Sequence, residues 1–339
     1  MTHANPAHAT LLTRELAKAA PASRIVALGG GTGLPRVLAG LSGDRGEPQR
    51  PAPDVTAIVT TCDDGGSSGE LRRHYGIPSP GDIRNCLVAL SAGSGPLAAL
   101  FQHRFGGVGA LAGHTVGNLV LTALAQQLGD FSAAVAAASE LLGVRGRVLP
   151  ATEACVELVA TLDDGRVIRG ESAIAAARGS IGRLAIDGAA PAPEAALDAI
   201  AAADLIVLGP GSLYSSVIAT LLVEGLAGAL AASRAPRVLV MNLFTQPGET
   251  DGYGAADHVR AIERHVGPLV DAVLVHGRAP PPPVVESYAA RGSHPVRVDR
   301  EALEAMGVVV AAADLLATTG GVARHDPARM AAALRGLAR

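Results

Sequence analysis

The chain has 339 residues, a net charge of −3 at pH 7 and a hydrophobic fraction of 49%. This length suits one large α/β domain or two lobes, and the absence of basic runs argues against nucleic acid as a partner. The cysteines Cys62, Cys86 and Cys155 form no CxxC pair, so we expect no structural disulfide or zinc site. No segment resembles a signal peptide or a membrane span. We therefore expect a cytoplasmic protein.

The first part of the chain predicts the opening of a parallel sheet. Residues 1–22 are expected to form a loose leader. The apolar run 24–28 predicts a strand that ends in the glycine-rich turn 29–33, and a helix follows over residues 34–41. The β-branched run 55–61 predicts the second strand. This succession of strand, turn, helix and strand is typical of a doubly wound α/β fold.

The middle of the chain predicts helices and then an antiparallel insertion. Residues 83–90 carry apolar side chains at i, i+3, i+4 and i+7, which predicts an amphipathic helix with Asp82 as its N-cap. An Asp-Asp-Gly turn at residues 163–165 lies between two extended segments, which is a strong hairpin signal. We therefore interpret residues 150–190 as an antiparallel hairpin insertion on the parallel sheet.

The parallel pattern resumes after the insertion. A buried strand at residues 205–208 leads into the turn 209–212 and then into a helix over residues 213–222. Asp326 is expected to cap the C-terminal helix, with Pro327 at its first position. Further strands are predicted at residues 238–243, 272–275 and 308–310.

Four polar or glycine-rich segments follow predicted strands, at residues 29–33, 62–70, 209–212 and 244–254. Open α/β sheets bind ligands beyond the carboxyl ends of their strands, so these segments predict a shared crevice.

Two of these segments are glycine turns suited to phosphate. Backbone N–H groups in "GGGTG" and "GPGS" could approach a phosphate at a helix N-terminus. Neither turn has the G-x-G-x-x-G pattern of dinucleotide sites, and the chain has no Gly-Lys-Ser/Thr of a P-loop. Together they suit a diphosphate or two separate anionic ends; plain strand-to-helix turns are the alternative. The candidate residues are Gly30, Gly31, Thr32, Gly33, Gly209, Gly211 and Ser212.

The acids Asp63 and Asp64 follow the second strand. There they could accept from ribose hydroxyls or hold Mg²⁺ together with substrate phosphates. An ordinary Asp-Gly turn is the alternative. Residues 65–69 predict a flexible, donor-rich loop that closes over the ligand through Ser67 and Ser68.

Three further residues are candidates for the same crevice. Arg84 is a candidate phosphate clamp, and Asn85 lies beside it at the start of a predicted helix. A solvated charge or a structural ion pair is the alternative for Arg84. Asn118 lies beside an apolar stripe, which favours a buried hydrogen bond or a ligand contact.

The chain contains "GGGTGLPRVLAGL", "DDGGSSGELRR", "PSPGDIRNCLVALS", "GHTVGNL", "ADLIVLGPGSLYSSVIATLL" and "NLFTQPGETDGYGAADHVRAI" in this order. With these segments it resembles the YvcK/CofD-like family, and specifically its gluconeogenesis-factor branch. The likeness runs from about Arg24 to the "RHDP" at residues 324–327. It implies a three-layer Rossmann-like fold, with residues 23–339 as a single CofD-like domain.

The resemblance also implies a small-molecule nucleotide ligand. Members of this branch look like regulatory sensors of UDP-sugars, UDP-N-acetylglucosamine above all, needed for cell shape and wall synthesis on gluconeogenic carbon. The related branch transfers 2-phospholactate from a guanosine diphosphate carrier to a deazaflavin, with Mg²⁺. The "QPGETDGY" and "AADHV" segments favour the factor branch.

Two functional hypotheses therefore stay open. The chain is either a non-catalytic UDP-sugar-binding regulator or a Mg²⁺-dependent phosphate-group transferase in which Asp63 or Asp64 holds the metal. NAD is a third possible occupant of the crevice, because it shares the diphosphate and the ribose. Regulatory protein partners and a homo-oligomer are compatible with either hypothesis.

Overall fold

The computed structural model describes residues 24–43, 52–91 and 95–337. The predicted leader at residues 1–22 lies outside the described residues. Within this part of the chain, no helix combines the length and the apolar character that crossing a membrane requires.

A parallel sheet forms the centre of the fold. Among the described residues it has seven strands, β1 (Arg24–Gly29), β2 (Asp54–Val59), β3 (Arg147–Pro150), β7 (Leu205–Leu208), β8 (Arg237–Val240), β9 (Ala272–His276) and β10 (Val309–Ala313). Their order across the sheet is β10-β9-β8-β7-β1-β2-β3. The four residues of β7 are all buried, as continuous apolar strands covered on both faces must be. The predicted α/β class is confirmed, although β3 was not predicted.

Helices cover both faces of this sheet. The described helices are α1 (Leu34–Gly43), α2 (Gly66–Tyr75), α3 (Gly81–Leu90), α4 (Pro96–Gln102), α5 (Val116–Leu128), α6 (Phe131–Leu142), α7 (Glu171–Ala176), α8 (Glu194–Ala201), α9 (Ala219–Leu221), α10 (Leu226–Ala232), α11 (Ala255–Val266), α12 (Pro282–Ala289), α13 (Arg300–Ala305) and α14 (Pro327–Leu337). A π-helical turn, Leu213–Ile218, runs directly into α9.

Successive side chains of the central strands point into two separate cores. Ile25 and Ala27 pack in the core that contains α1, α3 and α14. Val26 and Leu28 pack in the opposite core, with α8, α10 and α11. This alternation follows from the two-residue period of a strand. The predicted three-layer arrangement is therefore confirmed.

The antiparallel insertion is a separate small sheet. Strand β4 (Glu157–Leu162) pairs with β5 (Val167–Arg169) across the predicted Asp-Asp-Gly turn, and β6 (Ile181–Asp187) pairs with the other edge of β4. Leu158 and Leu184 bury their side chains in the same core as α8 and α10. The predicted hairpin is confirmed, and β6 extends it to three strands.

The C-terminal segment forms a second small antiparallel sheet before the last helix. Strands β11 (Leu316–Thr319) and β12 (Val322–His325) form an antiparallel hairpin that the sequence did not predict. Asp326 then caps α14, since its Oδ1 accepts a hydrogen bond from the Arg329 N–H at 3.0 Å, as predicted.

Two local predictions are wrong. The predicted closing loop at residues 65–69 belongs largely to the helix α2, with Ser67, Ser68 and Gly69 buried. The N-cap of α3 is Pro80, and Asp82 lies in the first turn of that helix. For residues 65–69 the glycine-rich and polar composition indicated a loop, whereas tertiary packing selects a helix. For Asp82 the helix was predicted correctly, but it begins earlier than expected, at Gly81.

Candidate functional site

The two glycine turns meet where the strand order reverses. β1 is flanked by β2 on one side and by β7 on the other, so this is the topological switch point of the sheet. A Cβ on Gly29 would lie 3.6 Å from the Cα of Gly209. A Cβ on Gly33 would overlap the carbonyl group of Pro210. The close backbone approach of the two turns therefore requires glycine at position 33.

A large cleft opens above this contact. Its volume is about 650 Å³, which lies in the range of small-molecule sites. Five predicted residues line it: Gly31, Thr32, Gly33, Gly211 and Ser212. Much of the rest of the lining comes from later parts of the chain, including the segment 242–247 and strand β12. The segment at 244–247 had been predicted from its place after a strand, but the contribution of β12 had not.

Arginines contribute positive charge to the lining of the cleft. Arg36, Arg291 and Arg324 all belong to its lining. Burial lowers the pKa of Arg36, and the neighbouring positive charge of Arg324 lowers it further. An anion between these two guanidinium groups would relieve their repulsion. Arg36 follows "GGGTGLP" directly and Arg324 lies in "RHDP". No pattern in the sequence predicted that these two segments would lie close together.

An aromatic pair forms another wall of the cleft. The rings of Phe244 and Tyr288 are stacked with their centroids 4.2 Å apart, and the Arg291 guanidinium carbon lies 4.7 Å from the Tyr288 centroid. His325 also lines the cleft; burial lowers its pKa to about 4, so its ring is neutral at pH 7.

A buried carboxylate supports the second glycine turn. Glu249 Oε1 accepts hydrogen bonds from Ser212 Oγ, from the Tyr214 N–H at 2.8 Å and from the Ser215 N–H at 3.3 Å. Its Oε2 is buried without a partner among the described residues. Burial raises the pKa of Glu249, and these hydrogen bonds lower it. Glu249 therefore fixes the N-terminus of the π-helical turn, a role that sequence reasoning missed.

Six other predicted residues line a second, smaller pocket of about 260 Å³. These residues are Asp63, Ser67, Ser68, Arg84, Asn85 and Asn118. The pocket shares no lining residue with the large cleft. The predicted residues thus line two neighbouring pockets.

Asp82 connects the two pockets. It lines the small pocket, and its Oδ2 accepts a hydrogen bond of 2.6 Å from the N–H of Gly31, which lines the large cleft. Burial raises the pKa of Asp82 to about 6; the bond from Gly31 lowers it, and the charge of Asp63 raises it. A change of charge on Asp82 at one pocket would therefore act directly on the backbone of the other.

The acid pair Asp63 and Asp64 does not point to one centre. Asp63 Oδ1 accepts from the Gly65 N–H at 2.9 Å, whereas Asp64 Oδ1 accepts from the Ser172 N–H at 2.8 Å. Asp64, like Gly30 and Gly209, is absent from the lining of both pockets. Within the described ranges, no group of three His, Cys, Asp or Glu side chains is arranged to hold a metal. The pair itself therefore does not fit Mg²⁺, and magnesium binding stays a prediction.

Glu171 adds a carboxyl group to the lining of the large cleft. Burial raises its pKa, a hydrogen bond from Ser215 lowers it, and the charges of Asp63, Asp64 and Glu249 raise it. Its position depends on the antiparallel insertion, since α7 follows β5. No pattern in the sequence indicated that Glu171 would line the cleft.

The family model described as 2-phospho-L-lactate transferase CofD matches residues 25–316. The gluconeogenesis factor of Bacillus subtilis is 44% identical over 314 residues, which cover 92% of this chain and 96% of that protein. The gluconeogenesis factor of Listeria monocytogenes is 40% identical over 315 residues, covering 92% and 94%.

A crystal structure of a UPF0052-family protein from Bacillus halodurans has the same fold. It matches with a TM-score of 0.87 and 42% identity, over 92% of this chain and 99% of that one. The agreement of sequence and fold over almost the whole length shows that this chain belongs to the CofD family, among relatives named gluconeogenesis factor.

Proposed function

We propose that this protein is a regulatory gluconeogenesis factor that binds a UDP-sugar in the large cleft without converting it. One observation carries the proposal: two touching glycine turns at the switch point and three arginines line the same cleft of about 650 Å³. The names of the relatives support the assignment to a gluconeogenesis factor.

The cleft has suitable groups for each part of a nucleoside diphosphate sugar. The diphosphate fits between the glycine turns and the guanidinium groups of Arg36 and Arg324, because backbone N–H groups and arginines both favour phosphate oxygens. The stacked rings of Phe244 and Tyr288 supply a flat apolar surface for the base or the sugar ring. Asn242 and Thr245 add polar groups to the lining of the same cleft.

A binding role without turnover is supported by the way two nearby acids, Asp64 and Glu249, are used; Glu171 is the carboxyl group that lines the cleft itself. Asp64 holds the start of α7 through the Ser172 N–H, and Glu249 holds the π-helical turn. A general base or a metal ligand needs a carboxylate that is free to reach the substrate. The two carboxylates therefore serve structural hydrogen bonds instead.

The alternative function is transfer of a phosphate-containing group, which the description of the family model favours. In that case Asp63, the member of the acid pair that lines the small pocket, would face the reacting phosphate. The two functions differ in one measurable respect, because only a transferase consumes its nucleotide.

Isothermal titration calorimetry with UDP-N-acetylglucosamine tests the proposal. We expect saturable binding to one site, and about tenfold weaker binding for Arg36→Gln, since a charge-assisted contact is lost. Arg73→Gln is the matched control, because Arg73 is exposed near the C-terminus of α2 and lines neither pocket. Competition with UDP, GDP and NAD determines the base preference. Absence of binding by the unmodified chain would contradict the proposal.

Chromatography of the nucleotide after prolonged incubation separates the regulator from the transferase. We expect the UDP-sugar to be recovered unchanged, with and without Mg²⁺. Consumption of a nucleotide donor in the presence of an acceptor hydroxyl would establish the transferase instead.

The cellular role needs a separate test. In a bacterium that lacks its own gluconeogenesis factor, this chain should restore normal shape on gluconeogenic carbon, and Arg36→Gln should restore it less well than Arg73→Gln. Equal rescue by both variants would separate the cellular role from nucleotide binding.

A further inference from the structure

We propose that the free edge of the antiparallel insertion binds an extended, acidic segment of a partner protein, which pairs with β6 as an additional strand. The site is a groove of about 500 Å³ beside β6, which we call the β6 groove. It is lined by residues 182–186 of that strand, by Arg264 and His265 of α11, and by Leu222 and Glu224. It shares no lining residue with the large cleft or the small pocket, so the proposal does not depend on nucleotide binding.

The strand β6 lies at the edge of its sheet. The strand order is β5-β4-β6, and no strand of the described residues pairs with the outer side of β6. The Leu184 N–H donates to His265 Nε2 at 2.8 Å, so it points away from β4. Because alternate residues of a strand direct their backbone groups to the same edge, the N–H and carbonyl groups of Ile186 face outward as well.

The outward backbone groups of β6 are only partly used. His265 accepts from the Leu184 N–H and donates from its Nδ1 to the Ala261 carbonyl oxygen at 2.7 Å. Within the described part of the chain, the Leu184 carbonyl and both backbone groups of Ile186 form no hydrogen bond. An edge with free donors and acceptors binds extended peptides through main-chain hydrogen bonds. Residues 182–186 span about 16 Å, which is adequate for about five residues of an added strand.

The charge of the groove favours an acidic segment. Arg183 and Arg264 line it and are exposed, and neither forms an ion pair or a hydrogen bond among the described residues. Burial lowers the pKa of His265, its hydrogen bond to Ala261 raises it, and the charges of Arg264 and Arg183 lower it further. Both positive charges therefore act on the same part of the groove, where carboxylates of an added strand would complement them.

A second copy of this chain fits the groove less well. Pairing of β6 with β6 of another copy would bring Arg183 and Arg264 of both copies to one short ladder, where facing like charges destabilise a sheet. A strand that carries carboxylates gains from the same arginines. The charges thus select an acidic partner protein.

Fluorescence anisotropy of the full chain with a labelled ten-residue peptide, in which glutamate and valine alternate, tests the proposal. We expect saturable binding, and no binding of a peptide in which lysine replaces every glutamate. A third peptide keeps the carboxylates but has every backbone nitrogen methylated. It should bind about tenfold more weakly or less, because it cannot donate to the edge of β6. Equal binding of the methylated peptide would rule out strand pairing and overturn the proposal.

A double variant, Arg183→Gln with Arg264→Gln, tests the location of the peptide. We expect about fivefold weaker binding at low salt and an unchanged melting temperature, because both side chains are exposed. The matched control is Arg73→Gln with Arg234→Gln, which removes the same charge from two exposed positions outside the groove. The proposal is overturned if the unmodified chain does not bind the glutamate peptide, or if the two double variants bind it equally.

Sedimentation velocity distinguishes a partner protein from a second copy. We expect the glutamate peptide to bind without changing the oligomeric state of the chain. If the unmodified chain forms a dimer that the peptide dissociates, the groove is an interface between copies, and the acidic partner is overturned.

Discussion

The two pockets use arginine in opposite ways. In the large cleft, Arg36 and Arg324 are brought together from opposite ends of the chain by the completed sheet, and Arg324 is exposed. In the small pocket, every lining residue comes from one segment between Asp63 and Asn118, and Arg84 is buried in a hydrogen-bond network.

This difference separates ligand binding from stability. An exposed arginine that faces solvent can be replaced at little cost to the fold, whereas a buried one carries part of the fold. Substitution of an exposed arginine in the large cleft should therefore weaken ligand binding without lowering the stability of the fold. The contact between the two glycine turns, by contrast, should behave like a packed core.

The largest effect is expected for Gly33→Ala. The added Cβ would lie 2.6 Å from the carbonyl carbon of Pro210, so the β1 and β7 turns must separate. We expect a loss of about 3–4 kcal/mol in the free energy of unfolding and no measurable nucleotide binding. Chemical denaturation and calorimetry measure the two effects.

The matched control is Gly43→Ala, at the last residue of α1, the helix that follows Gly33. A Cβ on Gly43 would have nothing within 4 Å, so this change should leave both quantities nearly unaltered. If Gly33→Ala were as stable and as active in binding as Gly43→Ala, the packed-turn interpretation would be wrong.

Glu249→Ala should have the next largest effect. It leaves the Tyr214 N–H, the Ser215 N–H and the Ser212 hydroxyl without their shared acceptor. We expect about 2–3 kcal/mol lower stability in denaturant unfolding, because buried donors lose their partner. Glu249→Gln keeps an acceptor oxygen and should recover most of this loss. Equal destabilisation by both substitutions would show that the negative charge itself is required.

The sequence predicted those features that depend on local order. The runs at 24–28 and 205–208 predicted buried strands, and the adjacent glycine turns predicted the switch-point site, because strand ends and turns follow from nearby residues. The Asp-Asp-Gly hairpin at residues 163–165 was found for the same reason.

The features that the sequence did not predict depend on contacts between residues that are far apart in the chain. Gly69 looked like part of a loop, but a Cβ added there would overlap the Asp64 carbonyl group, and the residue lies in the helix α2. The pair Asp63 and Asp64 looked like one site, yet each is held by a different N–H group. No local pattern could have placed Arg324 beside Arg36, since β12 reaches the cleft only in the folded chain.

Asp82→Asn tests whether the fold raises the pKa of Asp82, the residue that connects the two pockets. Because burial raises the pKa of Asp82 from 3.8 to about 6, the folded state holds this proton more tightly than the unfolded state. The resulting stabilisation is complete below the unfolded pKa and is lost as the pH rises through about 6. Asparagine does not titrate and can still accept from Gly31.

We therefore expect the free energy of unfolding of Asp82→Asn to rise relative to that of the unmodified chain as the pH rises from about 4 to 7, by on the order of 2 kcal/mol. Denaturant unfolding of both proteins at several pH values measures this difference, and all other titrating groups are common to both. Parallel pH profiles would show that Asp82 ionises as readily in the folded chain as in the unfolded one.

The smallest effect on the fold is expected for Arg324→Gln. Arg324 is exposed, and its removal also relieves the repulsion that lowers the pKa of Arg36. The melting temperature should therefore stay the same, while the nucleotide binds about five- to tenfold more weakly at low salt and the difference shrinks as salt is added. If Arg324→Gln also lowered the melting temperature, the contrast between an exposed and a buried arginine would not describe this protein.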